Sequence, residues 1–176
     1  MRPASIPALW LLSDARNDAV LEAVLRRLPR GSGFVYRHYH LGPAARRARF
    51  DAVRQVARSA DHRVILSGDV ATALAWGADG VYGATETLGD ETVERYATVH
   101  DEHEIAAANA AGVAGVFLSP VFATCSHPGG DVLGEHRFLA LAALSKVPVI
   151  ALGGMNRARA RALGWRRWGA IDGLSG

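Results

Sequence analysis

Eight short apolar runs constrain this chain more than any other feature. They are ALWLLS (8–13), GFVYRHY (33–39), RVILS (63–67), GVY (80–82), RYATV (95–99), GVFLS (115–119), PVIALG (148–153) and WGAIDG (168–173). Between most of them lie Ala-, Leu- and Arg-rich stretches of helical period: 17–28, 43–60, 70–77, 101–112, 137–145 and 156–164. The runs do not alternate apolar with polar. That is the pattern of strands buried on both faces, as in a parallel sheet covered by helices. Eight runs in 176 residues give about 22 residues per βα unit. The expected fold is α/β, a single (β/α)8 TIM barrel over residues 1–176, with a doubly wound open sheet as the rival.

Punctuation supports these bounds. Three helical stretches stop at a glycine just before a strand, at WGADG (76–80), AAGVAG (110–115) and ALGWRRWG (162–169), the chemistry of a left-handed C-cap. Asp101 and Asn156 stand where an N-cap belongs. Glu104 falls at the third helical position, as in a capping box. After the last run the sequence has no room for an eighth helix. An uncovered strand flank would expose apolar surface, so a homo-oligomer is expected.

Composition excludes little but directs the search. Apolar residues make up 49% and charged residues 21%, and the net charge of +3 is too mild to argue for nucleic acid. Cys125 is the single cysteine, so no intrachain disulfide forms, and a cytoplasmic setting is expected. No run is long enough to span a membrane. The N-terminal apolar run lacks a small-residue cleavage site and reads as a first strand. Of the twenty basic residues, Lys146 is the only lysine. Any role that needs a lysine elsewhere is excluded.

In such a barrel the active site lies at the C-terminal ends of the strands. The residues there are Ser13 and Asp14; Arg37 to His40; Ser67 to Asp69; GATET (83–87); Thr98 to His100; SPVFATCSHPGG (119–130); GGMN (153–156); and DGLSG (172–176). GGMN places Gly153 and Gly154 between a strand and a helix start, where backbone N–H groups can approach an anion. Barrels often bind phosphate after strands 7 and 8. The plainer alternative is a tight turn. Arg37 at a strand end needs an anionic partner, either a ligand or a structural acid such as Asp14 or Asp69. Asp69 alone is a weak Mg2+ site and a good helix cap. HDEHE (100–104) has His100 and His103 at a metal-like spacing, but capping explains its acids. Cys125 with His127 has the elements of a thiol nucleophile and base, without an evident third group.

The stretches GADGVYG, TVHDEHEIAAANAAGVAGVFLSPVFATCS and PVIALGGMN, in this order and spacing, resemble the thiamine phosphate synthase / TenI superfamily. The likeness runs from about Leu9 to Ser175, and SPVFAT and ALGGM are its most specific parts. The resemblance implies a (β/α)8 barrel. It also implies an enzyme, a transferase that joins hydroxymethylpyrimidine pyrophosphate to thiazole phosphate with Mg2+ and releases pyrophosphate. Residue by residue, it assigns Arg37 to the leaving pyrophosphate and Asp69 to the metal. Thr98, His100, Thr124 and Ser126 fall on phosphate-binding positions. Gly153, Gly154 and Ser175 fall on the thiazole phosphate site, and Arg37, Ser126 and His127 are the expected catalytic groups.

The sequence also departs from the pattern. A glutamine position holds Val35, and the two lysine positions hold Tyr39 and His127. The strand-4 loop is one residue short, with Thr87 or Glu86 nearest the second metal aspartate. Where a TenI-type tautomerase has its acid/base histidine, this chain has Pro120. The alternatives to the synthase are therefore a non-catalytic or regulatory binder of thiazole or thiamine phosphate, and a TenI-like tautomerase using His100 or His127.

Overall fold

The computed structural model describes residues 5–126 and 128–175. Eight parallel strands close into a barrel in chain order: β1 (Leu9–Leu12), β2 (Gly33–Tyr36), β3 (Arg63–Ser67), β4 (Gly80–Ala84), β5 (Glu94–Val99), β6 (Gly115–Leu118), β7 (Val149–Ala151) and β8 (Trp168–Ala170). β1 pairs with both β2 and β8, which completes the ring and rules out the open sheet.

Six α-helices pack outside: α1 (Leu21–Arg27), α2 (Pro43–Ser59), α3 (Val70–Trp76), α4 (Glu102–Ala111), α5 (Gly134–Ala142) and α6 (Arg157–Leu163). A 3-10 turn over Ala15–Val20 precedes α1, so the stretch expected as one helix from 17 divides in two. Another 3-10 turn, Thr85–Thr87, links β4 to β5. Left-handed glycines end α3, α4 and α6 at Gly77, Gly112 and Gly164. Asp101 and Asn156 accept from the backbone N–H groups of Glu104 and Arg159, both at 2.9 Å. The expected capping box is displaced by one residue, since the Glu104 carboxylate accepts from His100 N, at 2.6 Å, and not from Asp101 N.

Side chains that point into the barrel fill it. Trp10, Leu12, Val35, Ile65, Tyr82, Tyr96, Phe117 and Ile150 form this inner cluster. The Trp10 indole meets Tyr96 and Phe117 edge-on, with ring centroids 4.9 and 5.3 Å away. It occupies the space a side chain would take at Gly33, where even a Cβ would overlap the indole. The glycine that opens β2 is thus a packing partner of the tryptophan in β1.

The outer core lies between strands and helices and takes in Trp168 and Ala170 of β8, only 7% and 4% exposed. Although no helix follows β8 among the described residues, Leu163, Ala160 and Leu174 belong to the same cluster. The outward side chains of β8 are therefore covered within the chain, and the exposed apolar flank expected from the sequence is not formed.

Candidate active site

β2 ends at Tyr36 because His38 turns into the left-handed region, with φ of 42°. The strand expected to reach residue 39 stops three residues early. The turn sends Arg37 toward the barrel mouth and His38 into the wall. The Arg37 backbone N–H donates to Ser13 Oγ at 2.7 Å, and its guanidinium Nη2 donates to Asp14 Oδ2 at 3.3 Å. The guanidinium lies over the Tyr39 ring, 5.4 Å from the centroid. Its Nε is buried and has no acceptor among the described residues. Tyr39 thus offers Arg37 a ring face where the family pattern has a cation.

Asp14 joins two arginines, since Arg16 Nε donates to its Oδ1 at 3.0 Å. Burial acts to raise the Asp14 pKa. Hydrogen bonds from the Arg16 backbone and side chain, with the charges of Arg16 and Arg37, outweigh it and hold the carboxyl below its ordinary value. Arg16 continues to Ser126 Oγ at 2.8 Å and to Asp172 Oδ2 at 3.1 Å. One guanidinium therefore ties the loops after β1, β6 and β8 together.

His38 belongs to a different arrangement. Its Nδ1 faces Ser13 Oγ and its Nε2 faces Asp18 Oδ1, both at 2.8 Å. Its ring stacks on Tyr36, with centroids 4.7 Å apart. Arg49 holds Asp18 at 2.7 Å and also pairs with Glu22. Asp18, His38 and His40 bring three possible metal-ligand atoms within 4.8 Å of one another. Both ring nitrogens of His38 are already engaged and Arg49 occupies Asp18, so this cluster braces the ends of β1 and β2.

The mouth of the barrel opens as a cavity of about 640 Å³. Seven expected residues line it: Arg37, Thr98, His100, Thr124, Ser126, Gly153 and Gly154. They come from the end of β5 and the loops after β2, β5, β6 and β7, and only the closed barrel brings them together. Two expected residues stand outside the lining. Ser175 instead turns back on Asp172 and Ile171. Asp69 is exposed and caps α3, accepting from Thr72 N at 2.7 Å and Thr72 Oγ1 at 2.9 Å. His127 lies outside the described residues.

Gly153 and Gly154 owe their identity first to a loop packed against them. Their φ values are +100° and +61°. A Cβ on Gly153 would sit 2.6 Å from Pro120 Cα, and one on Gly154 would collide with Ala123 O. Val121 N donates to Leu152 O at 2.9 Å and Phe122 N to Gly153 O at 3.1 Å, so the β6 and β7 loops continue as a pair beyond their strands.

A family model described as Thiamine monophosphate synthase matches residues 9–168. The chain belongs to this family. The thiamine-phosphate synthase of Methanoregula boonei is 33% identical over 117 residues, 60% of this chain and 53% of the relative. That of Levilactobacillus brevis is 32% identical over 127 residues, 66% of this chain and 58% of the relative. The chain spans a little over half the length of these curated relatives. In fold it is similar to the thiamine phosphate pyrophosphorylase of Pyrococcus furiosus, with a TM-score of 0.78 at 23% identity, covering 96% of this chain and 87% of that one. FabK from Thermotoga maritima reaches 0.73 at 16% identity over 96% and 58% of the two chains. At such identities the likeness is one of fold, and function has to be argued from the site.

Set against the family pattern, Val35 points into the barrel core and cannot reach the mouth. Lys146 precedes β7 at the opposite end of the barrel, where its backbone N–H donates to Asn109 Oδ1. The short loop after β4 brings no carboxylate into the cavity lining, and Thr87 Oγ1 donates back to Ala84 O. The lining also holds Asn156 and Asp172, from the GGMN and DGLSG stretches, and Tyr82 and Arg159, which lie in none of the strand-end stretches. Tyr82 ends the GVY run but lies in the middle of β4, and its inward position in that run is the signal that marks it. Burial pushes its phenol well above the ordinary value, against the Arg37 charge, so it stays a neutral hydrogen-bonding group.

Proposed function

We propose that the chain catalyses the synthase reaction. The methylene C–O bond of hydroxymethylpyrimidine pyrophosphate breaks, and pyrophosphate leaves with the electron pair. The thiazole phosphate nitrogen then donates its lone pair to form the new C–N bond. The observation that carries this reading is the gathering of Arg37, Thr98, His100, Thr124, Ser126 and the Gly153–Gly154 turn around one cavity. A departing pyrophosphate needs donors already in place where its charge grows. The unpartnered Arg37 Nε and the Thr124 and Ser126 hydroxyls are suited to that end. The glycine turn lies across the same cavity and suits the monophosphate of the second substrate.

Mg2+ is expected from the resemblance, but the residues present do not build a site for it. Both Asp69 oxygens are engaged by Thr72, and Asp69 is not part of the three-ligand cluster found among the described residues. A tautomerase would have to use His100, which lines the cavity and faces Glu104 at 2.8 Å, because Pro120 has no titratable proton and His127 lies outside the described residues. The test incubates both substrates with the protein, with and without Mg2+, and quantifies thiamine phosphate and pyrophosphate. Equal amounts of both products over many turnovers are expected. Binding of thiazole phosphate without any product overturns the proposal in favour of a non-catalytic binder.

A further inference from the structure

We infer that Arg159 is the cation that recognises a phosphate monoester in this cavity. The inference rests on the proposed function, because it names the group that selects the second substrate. Three arginines are placed to act on an anion at the barrel mouth. Arg37 is matched by Asp14, and Arg16 by Asp14 and Asp172. Arg159 lines the cavity and has no carboxylate within 4.0 Å among the described residues. Of the two arginines in the lining, Arg159 is thus the one without a carboxylate partner among the described residues, and Asp131 is a lining carboxylate in none of the ion pairs.

Its position is fixed by two neighbours. Nη1 donates to Gly154 O, and the guanidinium lies 5.0 Å from the centroid of the Phe122 ring. Stacking and one hydrogen bond orient this exposed group, and Nε and Nη2 have no acceptor among the described residues. Gly154, which Arg159 touches, belongs to the loop that lines the same cavity. An anion there meets a planar, permanently charged fork beside backbone that carries no side chain. That arrangement favours a phosphate oxygen pair over a neutral group. The α6 helix has only seven residues, so Arg159 and not the helix end supplies the charge.

The test measures inorganic phosphate and thiazole phosphate binding by calorimetry for the wild type, Arg159→Gln and Arg159→Lys, with melting temperatures as a check on folding. Arg159→Gln keeps a donor for Gly154 O and removes the charge. We expect it to weaken both ligands by about tenfold or more, the scale of a lost charge-assisted hydrogen bond. Arg159→Lys should recover part of the loss, and in turnover assays the change should appear in the KM for thiazole phosphate and not in that for the pyrimidine pyrophosphate. Unchanged affinity in a folded Arg159→Gln protein, or no phosphate binding by the wild type, overturns the inference. If affinity falls but the wild type forms no thiamine phosphate, the synthase reading fails while Arg159 stands. If product forms and the KM is unchanged, the reverse holds.

Discussion

Arg16 and Ser126 are 110 residues apart in the chain, yet the Arg16 guanidinium donates to the Ser126 hydroxyl at 2.8 Å. The contact pins the β6 loop to the β1 loop at the cavity rim, next to the exposed Cys125. Arg16→Ala should release that loop, so Cys125, the one cysteine, should react several-fold faster with a thiol reagent. Stability should change little, because exposed ion pairs contribute about 0–1 kcal/mol each. A modification rate equal to that of the wild type would show that Arg16 does not hold the loop.

The barrel seam depends on Asn17, which is buried. Its amide nitrogen donates to Leu12 O at 2.9 Å and to Ile171 O at 3.0 Å, and its Oδ1 accepts from Asp14 N at 2.9 Å. One side chain thus joins the ends of β1 and β8. Asn17→Leu strands two carbonyls and an N–H, and should cost about 3 kcal/mol or more, given ~1–3 kcal/mol for each unsatisfied buried group. Urea unfolding gives the number directly, and a loss under 1 kcal/mol would mean the seam is held elsewhere.

Much of the barrel was legible because strands and helices announce themselves locally. The β3 run, Arg63–Ser67, was read with its observed bounds. The caps at Gly77, Gly112 and Gly164 follow from local backbone chemistry. The site was legible only in part. Arg37 and Thr124 stand out by type and position, whereas Arg159 reads as one more arginine in an Arg-rich helix until Phe122 is packed beneath it. The strand-2 overrun had the same cause. RHY continues the apolar run in sequence, and only the tertiary bonds of His38 to Ser13 and Asp18 reveal the turn. The glycines of GGMN fit either an anion site or a plain tight turn in the sequence, and their close contact with the Pro120–Ala123 loop is a long-range fact.

That contact predicts that Gly154→Ala is more damaging than an ordinary loop substitution. A left-handed alanine costs about 1–3 kcal/mol, and the overlap with Ala123 O adds to it. We expect a melting temperature several degrees lower, by about 2–4 °C per kcal/mol for a domain of this size, and reduced phosphate binding. A variant as stable as the wild type would show that the two loops separate at little cost.

Asp69 separates two roles cleanly. If it acts as the N-cap of α3, Asp69→Ala should cost about 1 kcal/mol, and Asp69→Ser only a few tenths, since serine caps nearly as well. The serine variant keeps the cap and loses the carboxylate. We expect Asp69→Ser to match the wild type in stability and in whatever Mg2+ dependence the reaction shows. Selective loss of Mg2+ dependence in Asp69→Ser would instead make the carboxylate a metal ligand.

Acid should weaken the protein first through His38. Its folded pKa lies below 6.5, chiefly because burial disfavours the imidazolium, with His40 and Arg49 adding to the effect and Asp18 opposing it. In the unfolded chain the ring takes up a proton near the ordinary value of about 6.5. The unfolded state therefore binds more protons between the two pKa values, and stability rises with pH across that window. The contribution is fully present above 6.5 and is lost as pH falls from there toward the folded pKa. Asp14 and Asp18 also have lowered pKa values, but their usual value is 3.8, so their share is lost only further down. Melting temperatures taken from about pH 7.5 to about pH 2.5 should fall below pH 6.5, and His38→Gln should flatten that decline while leaving the drop below pH 4 intact. An equal slope in the variant would place the acid sensitivity outside the His38–Asp18–Arg49 brace.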